Sequence, residues 1–277
     1  MIKKFVLSFL LVAVCFSSVA SAEIVGCLSI LNITEEELMS KMKAPSFGDI
    51  HDEDYIGVDL QNLSIKYYDN LVSMLLALDK GEIDLINVIR PVGIYLLENN
   101  PELRLKGFNW WVLRDSYAFD FGFMEKNATL KNKFNDAITK MDEDGTLAIL
   151  KDRYIENFKD LTPMQFEKFD NAETITVAIT GDLPPIDYIA ADGTPAGFNV
   201  AVLSEIAKRL HVNIKLMNID AGARVAALTS GRADVIFWIE GSEAESYDSR
   251  TIIEKNEGII ISRPYYKWHE EYFIGKK

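Results

Sequence analysis

The sequence ALDKGEIDLI at residues 77–86 recurs as ALTSGRADVI at residues 227–236, and both copies read Ala-Leu-x-x-Gly-x-x-Asp-x-Ile. An apolar helical stretch precedes each glycine, and Gly81 and Gly231 fit the C′ position, where a left-handed residue ends a helix. A short apolar run after each aspartate predicts a buried strand. Strand-like segments at 65–67 and 214–216 precede the two helices. Each half is therefore predicted to contain a strand-helix-strand unit, and the crossover implies a parallel sheet.

The spacing of the two copies indicates the domain organisation. An offset of 150 residues is too long for a solenoid repeat and favours two similar α/β lobes. Asp84 and Asp234 occupy the same place in both copies. A single ligand would contact the two lobes in different ways and would not need the same residue in both. The recurrence therefore favours a structural role for this aspartate.

Composition narrows the functional class. The chain has 277 residues, of which 48% are hydrophobic and 26% charged, as in ordinary globular proteins, and the length suggests about two domains. A net charge of −13 argues against a nucleic-acid partner, because binding to phosphates needs clustered Lys and Arg. The three histidines are widely separated and lack metal-ligand spacing, so we expect no metal site and no cofactor.

The N-terminus predicts export. Lys3 and Lys4 precede an apolar stretch at residues 5–16, and Ala20-Ser21-Ala22 supplies small residues for cleavage near Ala22. This is the pattern of a secretory signal peptide, and we assign residues 1–22 to it. Cys27 is then the one cysteine left, so no internal disulfide is expected. Its ordinary role is that of a small buried apolar residue.

Several short motifs, taken in order, resemble the family 3 bacterial extracellular solute-binding proteins, the periplasmic receptors of polar amino-acid ABC importers. The second half carries TVAITGDLPPIDY at 176–188, GFN at 197–199 and SRPYY at 262–266. These stretches resemble the family's opening strand, its Pro-Pro turn, a helix start and a later landmark. In the first half, residues 134–154 resemble the family's closing helices. The resemblance implies two α/β lobes with mainly parallel sheets, flanking helices and a ligand cleft between them.

The two halves stand in exchanged order relative to the family. Residues 23–158 resemble the second lobe and the closing helices, residues 159–173 form a linker, and residues 174–277 resemble the N-terminal lobe. This order is that of a circular permutant. A fragment of a longer tandem, and a chain that completes its lobes by self-association with a second copy, are the alternatives.

The resemblance also implies a set of ligand-binding residues, although the family's usual amino-acid clamp is altered. The family's acid after the second-lobe strand falls at Ile89, and its aromatic positions fall near Leu183 and Ala221. We therefore look for other polar and aromatic side chains at the predicted cleft that could hold the charged groups of a ligand. Glu240 is the candidate partner of an ammonium group, and Arg90 is the candidate partner of an anion. The ligand-binding candidates are Ser29, Asn32, Thr34, Arg90, Thr180, Asp182, Arg224, Trp238 and Glu240.

Three functional classes follow from these residues. The first is a non-enzymatic exported receptor that captures a small polar solute by lobe closure and delivers it to the membrane subunits of an ABC importer. The second is a periplasmic dehydratase-like enzyme on the same fold, with Glu240 as general acid. The third is an accessory or sensor module that presents a surface to a membrane partner. We favour the receptor and assign no catalytic residue.

Overall fold

A computed structural model describes most of the chain outside its N-terminal region. The described residues are 23–28, 63–109, 117–158, 161–163, 165–242, 258–268 and 271–277. The predicted signal peptide at residues 1–22 lies outside these ranges. In the described part, no helix has the length and apolar character needed to cross a membrane.

Five strands form the first sheet. They are β1 (Glu23–Leu28), β2 (Leu63–Tyr68), β3 (Leu85–Ile89), β4 (Leu103–Asn109) and β14 (Glu271–Lys276). Their order across the sheet is β2-β1-β3-β14-β4. β1 pairs in parallel with β2 and β3, and β14 pairs antiparallel with β3 and β4.

Six strands form the second sheet. They are β5 (Tyr117–Met124), β6 (Thr174–Ile179), β10 (Asn213–Asn218), β11 (Val235–Ser242), β12 (Ile259–Ile261) and β13 (Tyr266–Trp268). Their order is β10-β6-β11-β5-β12, with β13 also paired to β5. β6 is parallel to β10 and β11, whereas β5 is antiparallel to its neighbours. A small third sheet contains β7 (Asp182–Leu183), β8 (Asp187–Ile189) and β9 (Pro195–Ala196).

Helices connect and cover these strands. They are α1 (Leu71–Lys80), α2 (Arg90–Asn99), α3 (Ala128–Glu143), α4 (Thr146–Lys151), α5 (Phe198–Leu210) and α6 (Arg224–Thr229), with a π-helical turn at Asp152–Glu156 after α4. The buried face of α1 carries Leu71, Met74, Ala77 and Leu78, which recur at helical spacing. Pro91 lies in the first turn of α2, where its missing N–H costs no helical hydrogen bond.

The two sheets share one topology, which confirms the predicted pair of similar α/β lobes. In each sheet the middle strand of a parallel triplet comes first in the sequence, β1 in one and β6 in the other. One helix then links the outer strands, α1 between β2 and β3, and α6 between β10 and β11. The two strands of each predicted strand-helix-strand unit are parallel, as expected. β1 and β6 lie between them, and the remaining strands run antiparallel, neither of which the repeat predicted.

The repeated glycine and aspartate have the same structural role in both lobes. Gly81 and Gly231 adopt left-handed conformations, with φ of 70° and 73°. Asp84 accepts a hydrogen bond from the Ile24 N–H through Oδ2 at 2.8 Å. Asp234 accepts one from the Thr176 N–H at the same distance. Each aspartate therefore fastens the end of the helix-to-strand turn to the first strand of its sheet, as the recurrence predicted.

Replacing either aspartate by alanine should lower the free energy of unfolding by about 1 kcal/mol, because each carboxylate loses a hydrogen bond to a backbone N–H. The loss should be larger for Asp234→Ala than for Asp84→Ala, because Asp234 is half-buried and Asp84 is exposed. Urea unfolding measures both. Asp136→Ala on the exposed face of α3 is the control and should stay within about 0.5 kcal/mol of the parent. If Asp84→Ala and Asp234→Ala have the same free energy of unfolding as this control, the shared structural role is contradicted.

The two halves of the chain exchange one strand each. β5 belongs to the first half and pairs with β11 of the second sheet, while β14 belongs to the second half and lies between β3 and β4. One cluster of buried apolar side chains includes Met74 and Ile86 of the first lobe and Phe121 and Val177 of the second. The exchanged strands therefore tie the two lobes into one molecule.

Two further segments contact the second sheet or its lobe. Residues 240–242 continue β11, where Glu240 pairs with Phe119 and Ser242 with Tyr117. The predicted linker is fastened to the second lobe in its described part. Asn213 donates from Nδ2 to the Phe169 carbonyl at 2.9 Å and accepts from the Phe169 N–H at the same distance, while Tyr188 donates to the Leu161 carbonyl at 3.2 Å.

Candidate functional site

The carboxyl edges of the two parallel triplets face each other. Thr180 follows β6 and Asp220 follows β10 in the second lobe, while Asp69 follows β2 in the first. The Leu71 N–H, at the start of α1, donates to Asp182 Oδ2 of the second lobe at 2.7 Å. The chain passes from one sheet to the other between β4 and β5 and again between β13 and β14. The strand ends on either side of these two connections also lie at the carboxyl edges. Ligands of open α/β sheets bind beyond the carboxyl ends of the strands, so this junction is the candidate site.

The turn after β6 is held by a buried carboxylate. Asp187 Oδ1 accepts hydrogen bonds from Thr180 Oγ1 at 2.9 Å and from the Gly181 N–H at 2.8 Å. Only 1% of Asp187 is exposed, and burial raises the pKa of its carboxyl group despite these two hydrogen bonds. Among the described residues, Oδ2 has no hydrogen-bond partner. Thr180 is thus a part of the turn that shapes the site, with its hydroxyl directed to Asp187.

Arg224 lies beneath the same edge. It is the first residue of α6 and is 4% exposed. Its Nε donates to the Ala221 carbonyl at 3.1 Å, and its Nη1 donates to the Phe237 carbonyl at 3.0 Å. Burial lowers the pKa of Arg224 to about 10, and the charge of Asp187 opposes that change. The guanidinium group therefore holds the loop before α6 against β11 and balances the charge of Asp187.

Asp182 is the carboxylate that reaches across the junction. Burial raises the pKa of Asp182, the hydrogen bond from Leu71 lowers it, and the charge of Asp220 raises it. The N-terminus of α1 carries a partial positive charge, which favours an anion at this position. Asp182 therefore occupies an anion-binding helix end of the opposite lobe.

The other sequence candidates divide into two groups. Arg90 is the first residue of α2 and follows β3, which places it at the carboxyl edge of the first sheet, half-buried. Trp238 and Glu240 lie on β11, but their side chains lie outside the described part of the structure. Ser29, Asn32 and Thr34 also lie outside it. Thr180, Asp182 and Arg224 are therefore the candidates that the structure brings together.

Residues 175–271 match the sequence family described as bacterial extracellular solute-binding proteins, family 3. The matched stretch covers about a third of the chain, and we call it the family 3 segment. It contains β6, β10 and β11 with the loops that carry Thr180, Asp182 and Arg224, so these three residues all lie in the family 3 segment. Among curated proteins, none matches the chain.

Comparison with solved structures finds three ligand-binding proteins among its matches. A zinc-bound ligand-binding component of an ABC-type import system from Staphylococcus aureus shares 10% identity over 92% of this chain, with a TM-score of 0.45. The GluR0 ligand-binding core from Nostoc punctiforme, in complex with L-glutamate, shares 9% over 91%, with a TM-score of 0.37 and 83% of its own length covered. An ancestral arginine-binding protein bound to arginine shares 13% over 93%, with a TM-score of 0.40 and 84% covered. The chain spans 65% of the length of the Staphylococcus aureus protein.

The sequence analysis missed a buried polar cluster beneath the site. Asp187 of the family 3 segment was not among the candidates, and neither was Asp120 of β5, which is 2% exposed. Tyr265 donates to Asn199 Oδ1 at 3.0 Å, and burial raises the pKa of its hydroxyl well above the usual range, with the charges of Asp120 and Asp187 adding to that rise. The available signal was a charged residue inside an apolar stretch, as in FDF at 119–121 and IDY at 186–188.

The described residues of the family 3 segment and of the first lobe contain no group of three or more His, Cys, Asp or Glu side chains placed to hold a metal ion. The site chemistry in this part of the chain consists of carboxylates, hydroxyls, helix-end N–H groups and two arginines. These groups recognise polar and charged solutes by hydrogen bonds and charge.

Proposed function

We propose that the protein is an exported receptor that binds a small polar solute between its two lobes and delivers it to an ABC importer. The observation that carries the proposal is the position of the family 3 segment, which places the turn of Thr180 and Asp182 opposite the N-terminus of α1. A solute held at this junction touches both lobes, and its binding energy then favours lobe closure.

The solute class follows from the groups at the junction. Asp182 supplies a carboxylate for an ammonium or other cationic group. Arg90 provides an anion-binding group at the edge of the first sheet. An amino acid, a related organic anion or a short peptide matches this combination of charges. We therefore assign the protein to binding and transport of such solutes and give it no catalytic role.

The proposed place of action is the periplasm. Residues 1–22 have the pattern of a secretory signal peptide with cleavage near Ala22, and the matched family is extracellular. Cell fractionation tests this assignment. Recovery of the shortened chain in the periplasmic fraction supports export, and recovery in the cytoplasm contradicts it.

A thermal-shift screen of the purified protein against amino acids, short peptides and small organic acids should reveal one chemical class that raises the unfolding temperature. A solute that binds only the folded state adds about 2.7 kcal/mol to the free energy of unfolding at 100 times its Kd. Calorimetric titration of the best compound then gives its Kd. A sharp unfolding transition that no compound shifts would contradict the receptor function.

Arg90 and Arg104 provide a matched pair for the same screen. Arg90 lies at the carboxyl edge of the first sheet, whereas Arg104 is exposed on β4. For an anionic solute, Arg90→Ala should weaken binding by about 10-fold to 100-fold, because a charged hydrogen bond is lost. Arg104→Ala should leave the Kd unchanged. Equal affinities of the two variants would exclude Arg90 from the binding site.

A further inference from the structure

One hydrogen bond connects the two lobes at the candidate site. Asp182 Oδ2 accepts from the N–H of Leu71, the first residue of α1, at 2.7 Å. The N-cap residue Asn70 satisfies a different donor of the same turn, the Ser73 N–H, at 2.8 Å. The first N–H groups of a helix have no partner within the helix. Asp182 of the second lobe therefore completes the capping of a helix in the first lobe.

A second contact lies beside this hydrogen bond. Asp69 Oδ1 lies 3.6 Å from the position that a Cβ atom would take at Gly222. Gly222 belongs to the short 3-10 turn Ala221–Ala223, which precedes α6 in the second lobe. The segment that begins α1 therefore rests on two separate loops of the second lobe, the turn after β6 and the turn before α6.

We propose that Asp182 and the N-terminus of α1 form a latch that holds the two lobes in a closed arrangement without a solute. This inference rests on the proposed receptor function, because it assigns lobe closure to that same site. The carboxylate and the helix end supply a charge-assisted hydrogen bond, which is stronger than a neutral one. A receptor with such a latch populates its closed state before binding, and solute then shifts an equilibrium that already exists.

Opposing effects act on the Asp182 carboxylate in the latch. Burial of the carboxylate on closing is unfavourable, and the charge of Asp220 adds to that cost. The hydrogen bond from Leu71 offsets it and keeps the group ionised more readily.

Distance measurements between spin labels on the two lobes test the latch without any solute. Glu98 of α2 and Lys133 of α3 are exposed and are replaced by cysteine in a Cys15→Ser background. Cys27 is buried and the pKa of its thiol is raised, so it should not react with the label. We expect one narrow distance distribution for this parent and a broader, shifted distribution for Asp182→Ala. An unchanged distribution would overturn the latch.

Two further variants separate the latch from a general loss of structure. Asp192→Ala removes a carboxylate of the same lobe that caps only the Thr194 N–H of its own turn, at 2.9 Å, and should behave as the parent. Asp182→Asn keeps an acceptor oxygen without the charge and should give an intermediate distribution. Broadening in Asp192→Ala equal to that in Asp182→Ala would overturn the proposal.

Hydrogen exchange of single amides provides the second measurement. In Asp182→Ala the Leu71 amide should exchange at least about 10-fold faster, because its acceptor is lost. The Met74 amide of the same helix, bonded to the Asn70 carbonyl at 3.3 Å, should keep its rate. Equal rates at Leu71 in parent and variant would overturn the latch. If a solute binds but the spin-label distances are the same in the parent and Asp182→Ala, only the latch is refuted. If the distances change in Asp182→Ala but the screen finds no solute, only the receptor function is refuted.

Discussion

Replacement of Arg224 by methionine should lower the free energy of unfolding by about 3–5 kcal/mol, because it removes a buried charged group that donates to two carbonyl groups and offsets the charge of buried Asp187. Arg224 and Asp187 are 4% and 1% exposed and attract each other. The variant also removes the donors that the carbonyl groups of Ala221 and Phe237 now use. Methionine fills a similar volume, so the loss should report charge and hydrogen bonding more than packing. Urea unfolding at neutral pH measures it.

The pH dependence of this loss identifies its cause. Burial already raises the pKa of Asp187 above its usual value of 3.8 in the folded protein, and removal of Arg224 raises it further. When folding raises the pKa of a carboxyl group, the protein loses stability as the pH rises from the pKa of the unfolded state through the pKa of the folded state. The loss in free energy of unfolding caused by Arg224→Met should therefore become smaller as the pH falls toward 4. A loss that stays constant with pH would contradict a contribution from the charge of Asp187.

Asp187→Asn completes a double-mutant cycle with Arg224→Met. Asparagine keeps an oxygen for the Thr180 hydroxyl and the Gly181 N–H, so the double variant should recover part of the stability lost in Arg224→Met. Arg209→Met is the control, since Arg209 forms a partly exposed ion pair with Asp144 at 2.8 Å. That pair should contribute less than about 1 kcal/mol. An equal loss in Arg209→Met and Arg224→Met would refute the buried pair.

The repeat was predictable because its signals are local. A left-handed glycine ends each helix, and an aspartate three residues later fastens the turn to the first strand of the sheet. These signals need only a few neighbouring residues, and they recur at Gly81 and Gly231 with the same geometry. The parallel direction of the two strands beside each helix follows from these signals, because a crossover helix connects parallel strands of one sheet.

The exchanged strands were not predictable from such patterns. β14 pairs Glu271 with Ile89, and β5 pairs Phe121 with Phe237. These partners lie more than a hundred positions apart in the sequence, so no local period records the pairing. Which strand enters which lobe depends on how the two halves assemble, and this information lies in the packing of the whole molecule.

The site was predicted in part for a similar reason. The strand-end positions of Thr180, Asp182 and Arg224 follow from the strand-turn-helix pattern, and the structure brings all three to one junction. The direction of each side chain depends on tertiary burial. Arg224 turns to backbone carbonyls, and Asp187 becomes the buried acceptor of the turn. A charged residue within an apolar stretch was the signal for Asp187, and the same signal marks Asp120.

Phe121→Ala should lower the free energy of unfolding by about 3–5 kcal/mol, because it opens a cavity where the exchanged strand β5 meets the second sheet. Phe121 is fully buried. Its ring lies 4.7 Å from that of Tyr265 in a stacked arrangement, 5.2 Å from Phe134 edge to face, and 5.2 Å from Phe237. Aromatic pairs of this kind contribute beyond the buried area alone.

The three partners come from different parts of the chain, which makes Phe121 a test of how the halves assemble. Phe134 belongs to α3 of the first half, whereas Phe237 and Tyr265 belong to the second half. Phe121→Leu keeps most of the buried volume and should lose less than Phe121→Ala. Ile149→Ala is the exposed control, since Ile149 is 67% exposed, and should change stability by no more than about 0.5 kcal/mol. A free energy of unfolding for Phe121→Ala within about 1 kcal/mol of the parent value would show that β5 adds little stability to the second lobe. In that case the exchange of strands would not be what joins the two halves.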